Sequence, residues 1–393
     1  MGELPFFAGQ EVGPPFFFDR EDYILSLREK LISKAPLNFA ITGQRRIGKT
    51  SLMKRLAEEI KEEVIPIFIK CEKIIPKTEL EFANFIAREF QKKLIVLHPM
   101  SKFKKYIADL KEKINVKIGT SITQDSEMFL KVELKDNQKI SIAYDFAFEL
   151  IDRIHKSEGK KIVIFLDEFQ ELFEFGNDYL WSLRSYISDS KASFVVSSSY
   201  HRFKELLLDE KQPFFNFFEI QEVGPIQDKY CREYVVSRLE KVGITINEKA
   251  LDELIRVSQG KPYYLQLIGS KAYDICKREN SQEIIWLIYL KAFNEIMLSP
   301  PAQLLSAFNR LTGKTKRVFI ALCLYNVRNS TELAGKVDMA PSHVTQLLNQ
   351  LHRIHGLITR NNGFFKVSDE ILREWIKREF TIKKVDQISS PYL

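Results

Sequence analysis

The segment Gly43-Gln44-Arg45-Arg46-Ile47-Gly48-Lys49-Thr50 fits the pattern GxxxxGK[ST] in full, and Ser51 follows it. Phosphate chemistry asks for this arrangement. Two glycines let the backbone curl so that N–H groups converge on phosphate oxygens, and a helix starting there adds positive potential. Lys49 is spaced to reach the β- and γ-phosphates of a nucleotide, and the Thr50 hydroxyl to ligate Mg²⁺. A second signal is the acidic pair Asp167-Glu168, which closes the apolar run 161–166, KIVIFL. Asp167 then stands on the metal side with Thr50, while Glu168, with Lys49 the catalytic candidate, is placed to orient or deprotonate an attacking water. Ser197, Ser198 and Ser199 end a further apolar run. A hydroxyl there, Ser198 being the central one, can hydrogen-bond a γ-phosphate or the water, and the sequence does not choose among the three. No NKxD motif for reading guanine is found, so ATP is favoured over GTP.

These residues need strands and helices to hold them. The run NFAIT (38–42) reads as a buried strand ahead of the glycine-bearing loop. Lys49 to Lys61 carries Leu52, Met53, Leu56 and Ile60 at helical spacing. VIPIFI (64–69), KIVIFL (161–166) and SFVVS (193–197) read as further strands, the second covered on both faces. Strands alternating with helices predict an α/β fold with a doubly wound parallel sheet. Residues 98–145 interrupt the rhythm as an insertion: a lysine-rich helical stretch from Ser101 to Lys113, then two alternating runs that predict a hairpin before a helix around Tyr144 to His155. After Pro225 the pattern turns wholly helical, with Asn247 as an N-cap, Gly260 as a helix stop and Pro262 opening the next helix. The boundaries that follow are a core over 1–225, a small helical lid over 226–300 and a third domain over 301–393, with Ser299-Pro300-Pro301 as linker.

Composition excludes other classes. At 45% hydrophobic and 28% charged residues the chain is globular rather than disordered. No run approaches the roughly 18–20 apolar residues of a membrane span, and the N-terminus lacks a secretory pattern. Four separated cysteines read as reduced, buried thiols, and six scattered histidines offer no zinc spacing. A cytoplasmic location is expected. The net charge is +7, and residues 301–393 hold 14 Lys and Arg against 7 Asp and Glu, so the whole excess lies in the last quarter. A basic terminal domain favours an anionic partner, most often nucleic acid.

Taken together, GQRRIGKTSL, IVIFLDEFQ and SFVVSSS resemble the AAA+ superfamily of P-loop ATPases, and more narrowly the archaeal ATPase family of its STAND branch, over roughly residues 16–380. Upstream, Phe17-Phe18-Asp19-Arg20-Glu21 resembles that family's hydrophobic-Gly-Arg-Glu motif, which implies that Phe18 and Arg20 lie against the adenine; Asp19 stands in place of the glycine. Downstream, Gly260-Lys261-Pro262 resembles the Gly-x-Pro signature of the lid, which implies a nucleotide contact at Pro262. Where the family often carries an arginine before the last core strand, this chain reads Pro213-Phe214-Phe215-Asn216-Phe217. Arg184 and Arg202 are the substitutes for an arginine finger, and the sequence does not decide between them. An arginine finger contributes about 10³–10⁵ in rate, so its absence suits a slow switch better than a motor.

Residues 312–380 fit a winged helix. Its third helix, Pro341 to His355, carries Val344, Leu347, Leu348, Leu351 and Ile354 on one face and Ser342, His343, Thr345, Gln346, Asn349, Gln350 and Arg353 on the other. Gln, Asn and Arg suit the reading of base edges in a major groove. A wing turning at Asn361-Asn362-Gly363 would place Arg360 and Lys366 for phosphates. Two function classes stand side by side. One is an ATP- and Mg²⁺-dependent machine acting on double-stranded DNA, such as one used in DNA maintenance or by mobile elements, and open to homo-oligomer assembly. The other is a slow nucleotide switch that signals to a protein partner.

Overall fold

The computed structural model describes residues 4–7, 16–74, 78–97, 117–122, 128–133, 141–198, 203–325, 327, 329–361 and 364–380. Helix α1 (Glu21–Ile32) leads into strand β1 (Phe39–Thr42), helix α2 (Lys49–Ile60) and strand β2 (Ile65–Lys70). Helix α3 (Glu79–Leu97), strands β3 (Lys117–Ile122) and β4 (Met128–Glu133), and helix α4 (Ser141–Glu158) follow. Strand β5 (Ile162–Asp167), helix α5 (Asn177–Asp189), strand β6 (Ser193–Ser197), helix α6 (Phe203–Leu208) and strand β7 (Glu219–Glu222) end this part.

The five strands run parallel in the order β2-β5-β6-β1-β7. Both β5 and β6 are buried along their whole length, which accounts for their unbroken apolar sequence. One face of the sheet packs on α3, α4 and α5, and the other on α1 and α2. Helix α2 buries Leu52, Met53, Leu56 and Ile60, the stripe expected from its spacing. In the order given, β6 lies between β5 and β1. The carboxyl ends that carry Asp167, Ser197 and the glycine loop are therefore neighbours.

The interruption is the expected antiparallel hairpin, β3 with β4. It is fastened to α3 by the buried Asn84, whose side chain accepts from Val132 N at 2.9 Å and donates to Val132 O at 3.2 Å. The stretch Ser101 to Lys113 lies outside the described residues.

Beyond the sheet come helices α7 (Asp228–Glu240), α8 (Glu248–Ser258), α9 (Pro262–Arg278) and α10 (Trp286–Leu298). Asn247 caps α8 by accepting from Lys249 N, and Pro262 is the first residue of α9, both as the sequence predicts. The stop of α8 falls one residue early, at Gln259 in a left-handed conformation, with Gly260 (φ +66) next. The wholly helical reading misses a bridge of two-residue strands, Thr245–Ile246 beside Glu283–Ile284, too short to leave a periodic signal.

Helices α11 (Ala302–Asn309), α12 (Gly313–Tyr325), α13 (Ser330–Val337) and α14 (Pro341–Arg353) follow, then a hairpin of Ile358–Asn361 with Phe364–Val367, and α15 (Glu370–Glu379). This is the arrangement of a winged helix with an added helix at each end. Helix α14 stops at Arg353, so Ile354 leaves the apolar stripe and stands 55% exposed. Helices α7–α15 share one continuous apolar core. Among the described residues no helix is long and apolar enough to cross a membrane. All four cysteines are buried and unpaired.

Candidate active site

The loop between β1 and α2 has the backbone its chemistry requires. Gly43 (φ +149), Arg46 (φ +69) and Gly48 (φ +94) all have positive φ, and Gly48 caps α2. A side chain on Gly43 would fall 2.5 Å from the carbonyl oxygen of Val223, so only glycine fits against the chain leaving β7. Gln44 and Arg45 are exposed and Ile47 is buried in the core. Ser51 lies in the first turn of α2.

Lys49 is buried at 6% exposure, and its ammonium donates to Gly43 O and Gln44 O at 3.0 Å each. Burial lowers its pKa to about 8, against the opposing pull of Glu168 and Asp167. An anionic phosphate at this ammonium offsets the cost of burying it. The Thr50 hydroxyl donates to Asp167 Oδ2 at 2.8 Å, and the Ser197 hydroxyl donates to Asp167 Oδ1. Burial raises the pKa of Asp167, and those two hydrogen bonds work against it. One hydroxyl and one carboxylate meeting at a phosphate loop form the donor pair a hard divalent cation shares with phosphate oxygens and waters. Among the described residues no group of three or more His, Cys, Asp or Glu is arranged to hold a metal.

Glu168 follows β5 in a left-handed conformation (φ +54), which ends the strand there. A 3₁₀ segment, Phe169–Phe175, begins directly after it. Phe169 anchors that segment in a cluster with Phe203, Phe214 and Phe218, its ring centroid 5.4 Å from that of Phe214. In the stretch where the family often has an arginine, Phe214 is thus a packing residue, and Phe217 packs in turn on Phe214 and Phe218. Arg184 is half-buried, its guanidinium 5.4 Å from the ring centroids of both Trp181 and Phe217. Arg202 and Ser199 lie outside the described residues. The Ser198 hydroxyl donates to Gln170 Oε1 at 2.6 Å, and Gln170 Nε2 donates to Glu168 Oε2. Sequence reasoning did not single out Gln170.

The expected adenine-side residues gather at the start of α1. Asp19 (φ +52) holds a left-handed backbone conformation, one that glycine takes without strain and aspartate tolerates. Arg20, buried at 7% exposure, donates to Gly224 O at 2.7 Å, and Tyr23 donates to Glu222 O at 3.0 Å. Phe18 stacks on Tyr234 of α7, with centroids 3.8 Å apart and planes at 9°. Pro262 comes to the phosphate loop: its Cγ lies 3.8 Å from the position a Gly48 Cβ would take. Gly260 fits where it does because a Cβ would stand 2.2 Å from Ile226 O.

Above the loop lies a contact that the sequence does not reveal. Arg46 donates to the Tyr264 hydroxyl, which in turn donates to Asp369 Oδ2, and Arg46 Nη1 lies 3.6 Å from the same carboxylate oxygen. The rings of Tyr263 and Tyr264 lie 4.8 and 5.1 Å from the guanidinium. Lys261, whose pKa is lowered by burial, donates to Ser368 O and stands 4.0 Å from Asp369. The phosphate loop, α9 and the start of α15 therefore meet in one buried polar cluster.

On the outer side of the winged helix, Gln346, Arg353, Arg360 and Lys366 are exposed, and Asn349 and Gln350 half-buried. His343, expected on the same face, is instead half-buried. The hairpin register sets Arg360 opposite Phe365 and Lys366 opposite Thr359, so the two basic side chains leave the wing on opposite faces.

The sequence matches a family described as an ATPase domain predominantly from Archaea over residues 17–268. No curated protein matches it. Among solved structures, a Walker-type ATPase of Pyrococcus abyssi is similar over 95% of this chain and 100% of its own, at 15% identity and TM-score 0.65. The ORC2 protein of Aeropyrum pernix, solved in ADPNP and ADP complexes, is similar over 96% of each chain at 12% identity and TM-score 0.63. The ORC1 protein of the same organism, solved with DNA, is similar over 96% of this chain and 95% of its own, at 14% identity and TM-score 0.50. These likenesses bear out the P-loop AAA+ fold with its C-terminal winged helix. With the family match covering well over half its length, the chain belongs to the ATPases found predominantly in Archaea and is an ATP-hydrolysing enzyme.

Proposed function

We propose that this ATPase couples its nucleotide state to binding of double-stranded DNA by the winged helix. The observation that carries the reading is the cluster of Arg46, Tyr264 and Asp369, which ties the phosphate loop to the helix after the wing. In this reading Lys49 and the loop N–H groups bind the β- and γ-phosphates, Phe18 and Arg20 lie beside the base, and Pro262 bears on the loop from above. Thr50 and Asp167 are the residues that would hold Mg²⁺, which neutralises charge developing on the phosphates. Glu168 accepts the proton of the attacking water as its oxygen bonds to the γ-phosphorus. The β–γ bridging P–O bond breaks, and ADP leaves with the electron pair. Because α7–α15 share one core, a change at Arg46 is passed to the whole helical body rather than to the winged helix alone.

The DNA part rests on the exposed Gln346, Arg353 and Arg360 and on the excess of basic over acidic residues in residues 301–393. The solved structure of ORC1 with DNA shows the same fold in that setting. A second reading, a slow switch that signals to a protein partner, is favoured by one observation: Phe217, packed on Phe214 and Phe218, stands where an arginine finger would. Steady-state ATP hydrolysis with and without duplex DNA, at low and moderate salt, separates the two. Several-fold stimulation that fades as salt rises, as counterion release requires, supports DNA coupling. A slow rate indifferent to DNA at both salts removes it and leaves the switch.

A further inference from the structure

Two acids and two serines face each other across the ends of adjacent strands, and they are not wired alike. Asp167 is bonded directly by Ser197, as the pairing of β5 with β6 allows. Glu168 and Ser198 are the next residues along, but Glu168 takes a left-handed conformation, and the gap between them is filled by the Gln170 side chain. Its amide has only one useful orientation. The carboxylate of Glu168 is an acceptor and demands the NH₂ end, while the buried Ser198 hydroxyl donates to the carbonyl end. Both ends of Gln170 are thereby fixed, and its backbone is fixed by Phe169, which is fully buried among Phe203, Phe214 and Phe218.

We infer that Gln170 is a positioning residue for hydrolysis: it holds the Glu168 carboxylate at the angle needed to take a proton from water, with Ser198 acting through it. Two features support a productive hold rather than a restraint. A carboxylate has about four acceptor positions, so one amide bond leaves capacity for a water. The hold also links the catalytic acid to the strand end that lies between β5 and β1, and so to the phosphate loop. A misplacement on the order of 1 Å in such a group costs roughly a hundredfold in rate.

The test is single-turnover and steady-state ATP hydrolysis by the full chain carrying Gln170→Met, which keeps the volume and removes both bonds. Gln170→Glu is the companion: it keeps an acceptor for Ser198 but cannot donate to an ionised Glu168. Both variants are expected to lose about tenfold to a hundredfold in kcat, with KM for ATP changed by less than twofold. Combined with Glu168→Gln, Gln170→Met is expected to add no further loss, and Ser198→Ala to add none to Gln170→Met. A kcat that stays the same or rises in Gln170→Met overturns the assignment. So does a loss that multiplies with that of Glu168→Gln, since the two side chains would then act independently. A KM that rises with kcat unchanged also overturns it, because Gln170 would then serve binding alone. If Gln170→Met does not fold, the same three outcomes are read from Gln170→Glu.

Discussion

The floor and the roof of the nucleotide site are built on different plans. The floor is Asp167, Glu168, Ser197, Ser198 and Gln170, at the ends of two hydrogen-bonded strands, and each acid is met by a neutral donor. The roof is Arg46, Lys261, Tyr264 and Asp369, drawn from three parts of the chain and held by opposite charges with aromatic rings against them. Floor groups cannot separate without breaking the sheet. Roof groups separate if the helical body tilts, at the cost of exposing charges that water solvates readily. Chemistry that needs fixed angles belongs on the floor, and a state that must come and go belongs on the roof.

The largest effect should come from the floor. Glu168→Gln keeps the shape of the side chain and its bond from Gln170 but removes the proposed base, and turnover is expected to fall by about 10²–10⁴. Nucleotide should remain bound, since Lys49 and the loop are untouched. Retained ATP after rapid filtration, alongside phosphate release, checks both halves. Unchanged turnover would place the base elsewhere and break the division between floor and roof.

The roof should respond differently. Asp369 has two duties: it meets Arg46 through Tyr264, and it caps α15 by accepting from Leu372 N at 3.2 Å. Asp369→Asn keeps the cap, because asparagine caps as well as aspartate, and removes the charge. Release of a fluorescent ADP analogue is expected to speed up by about 5–150-fold, the span of a coupling energy between two sites. The single-turnover rate of hydrolysis should hold within a factor of about three. A fall in that rate with release unchanged would make the roof part of the chemistry.

The same division explains what could be read from the sequence. The phosphate loop and the acidic pair are contiguous, so the residue types and their spacing state the chemistry directly. Ser197 and Asp167 were legible as strand ends, and their bond follows from the pairing of β5 with β6. Gln170 was not, because it sits in an aromatic-rich turn and its partner Ser198 is 28 residues away on another strand. The roof was less accessible still. Arg46 and Tyr264 are 218 residues apart and Tyr264 and Asp369 a further 105, and only packing brings them together. Asp19 stands where the family has glycine, and its left-handed conformation, which a short polar side chain tolerates, is seen only in the fold. The stripe on α14 ran one residue too far, to Ile354, because periodicity marks a helix face better than a helix end.

The smallest effect should fall on the outward side of the roof, and it sharpens the comparison by splitting two lysine-and-arginine positions that the sequence treats alike. Arg360 lies over the buried Phe365 ring, 5.6 Å from its centroid, on one face of the wing. Lys366 leaves the other face, which it shares with the exposed Phe364, and its charge adds slightly to what disfavours the ammonium of Lys261. A side chain that contacts a DNA phosphate displaces a counterion, and its loss should lower the salt slope of duplex binding by about one and weaken binding a few-fold for any sequence. Arg360→Ala is expected to do this in fluorescence anisotropy titrations over a range of salt. Lys366→Ala is expected to leave the slope unchanged and to act, if at all, on nucleotide release with Asp369→Asn. Equal loss of slope in both variants would mean that both faces of the wing belong to the DNA interface.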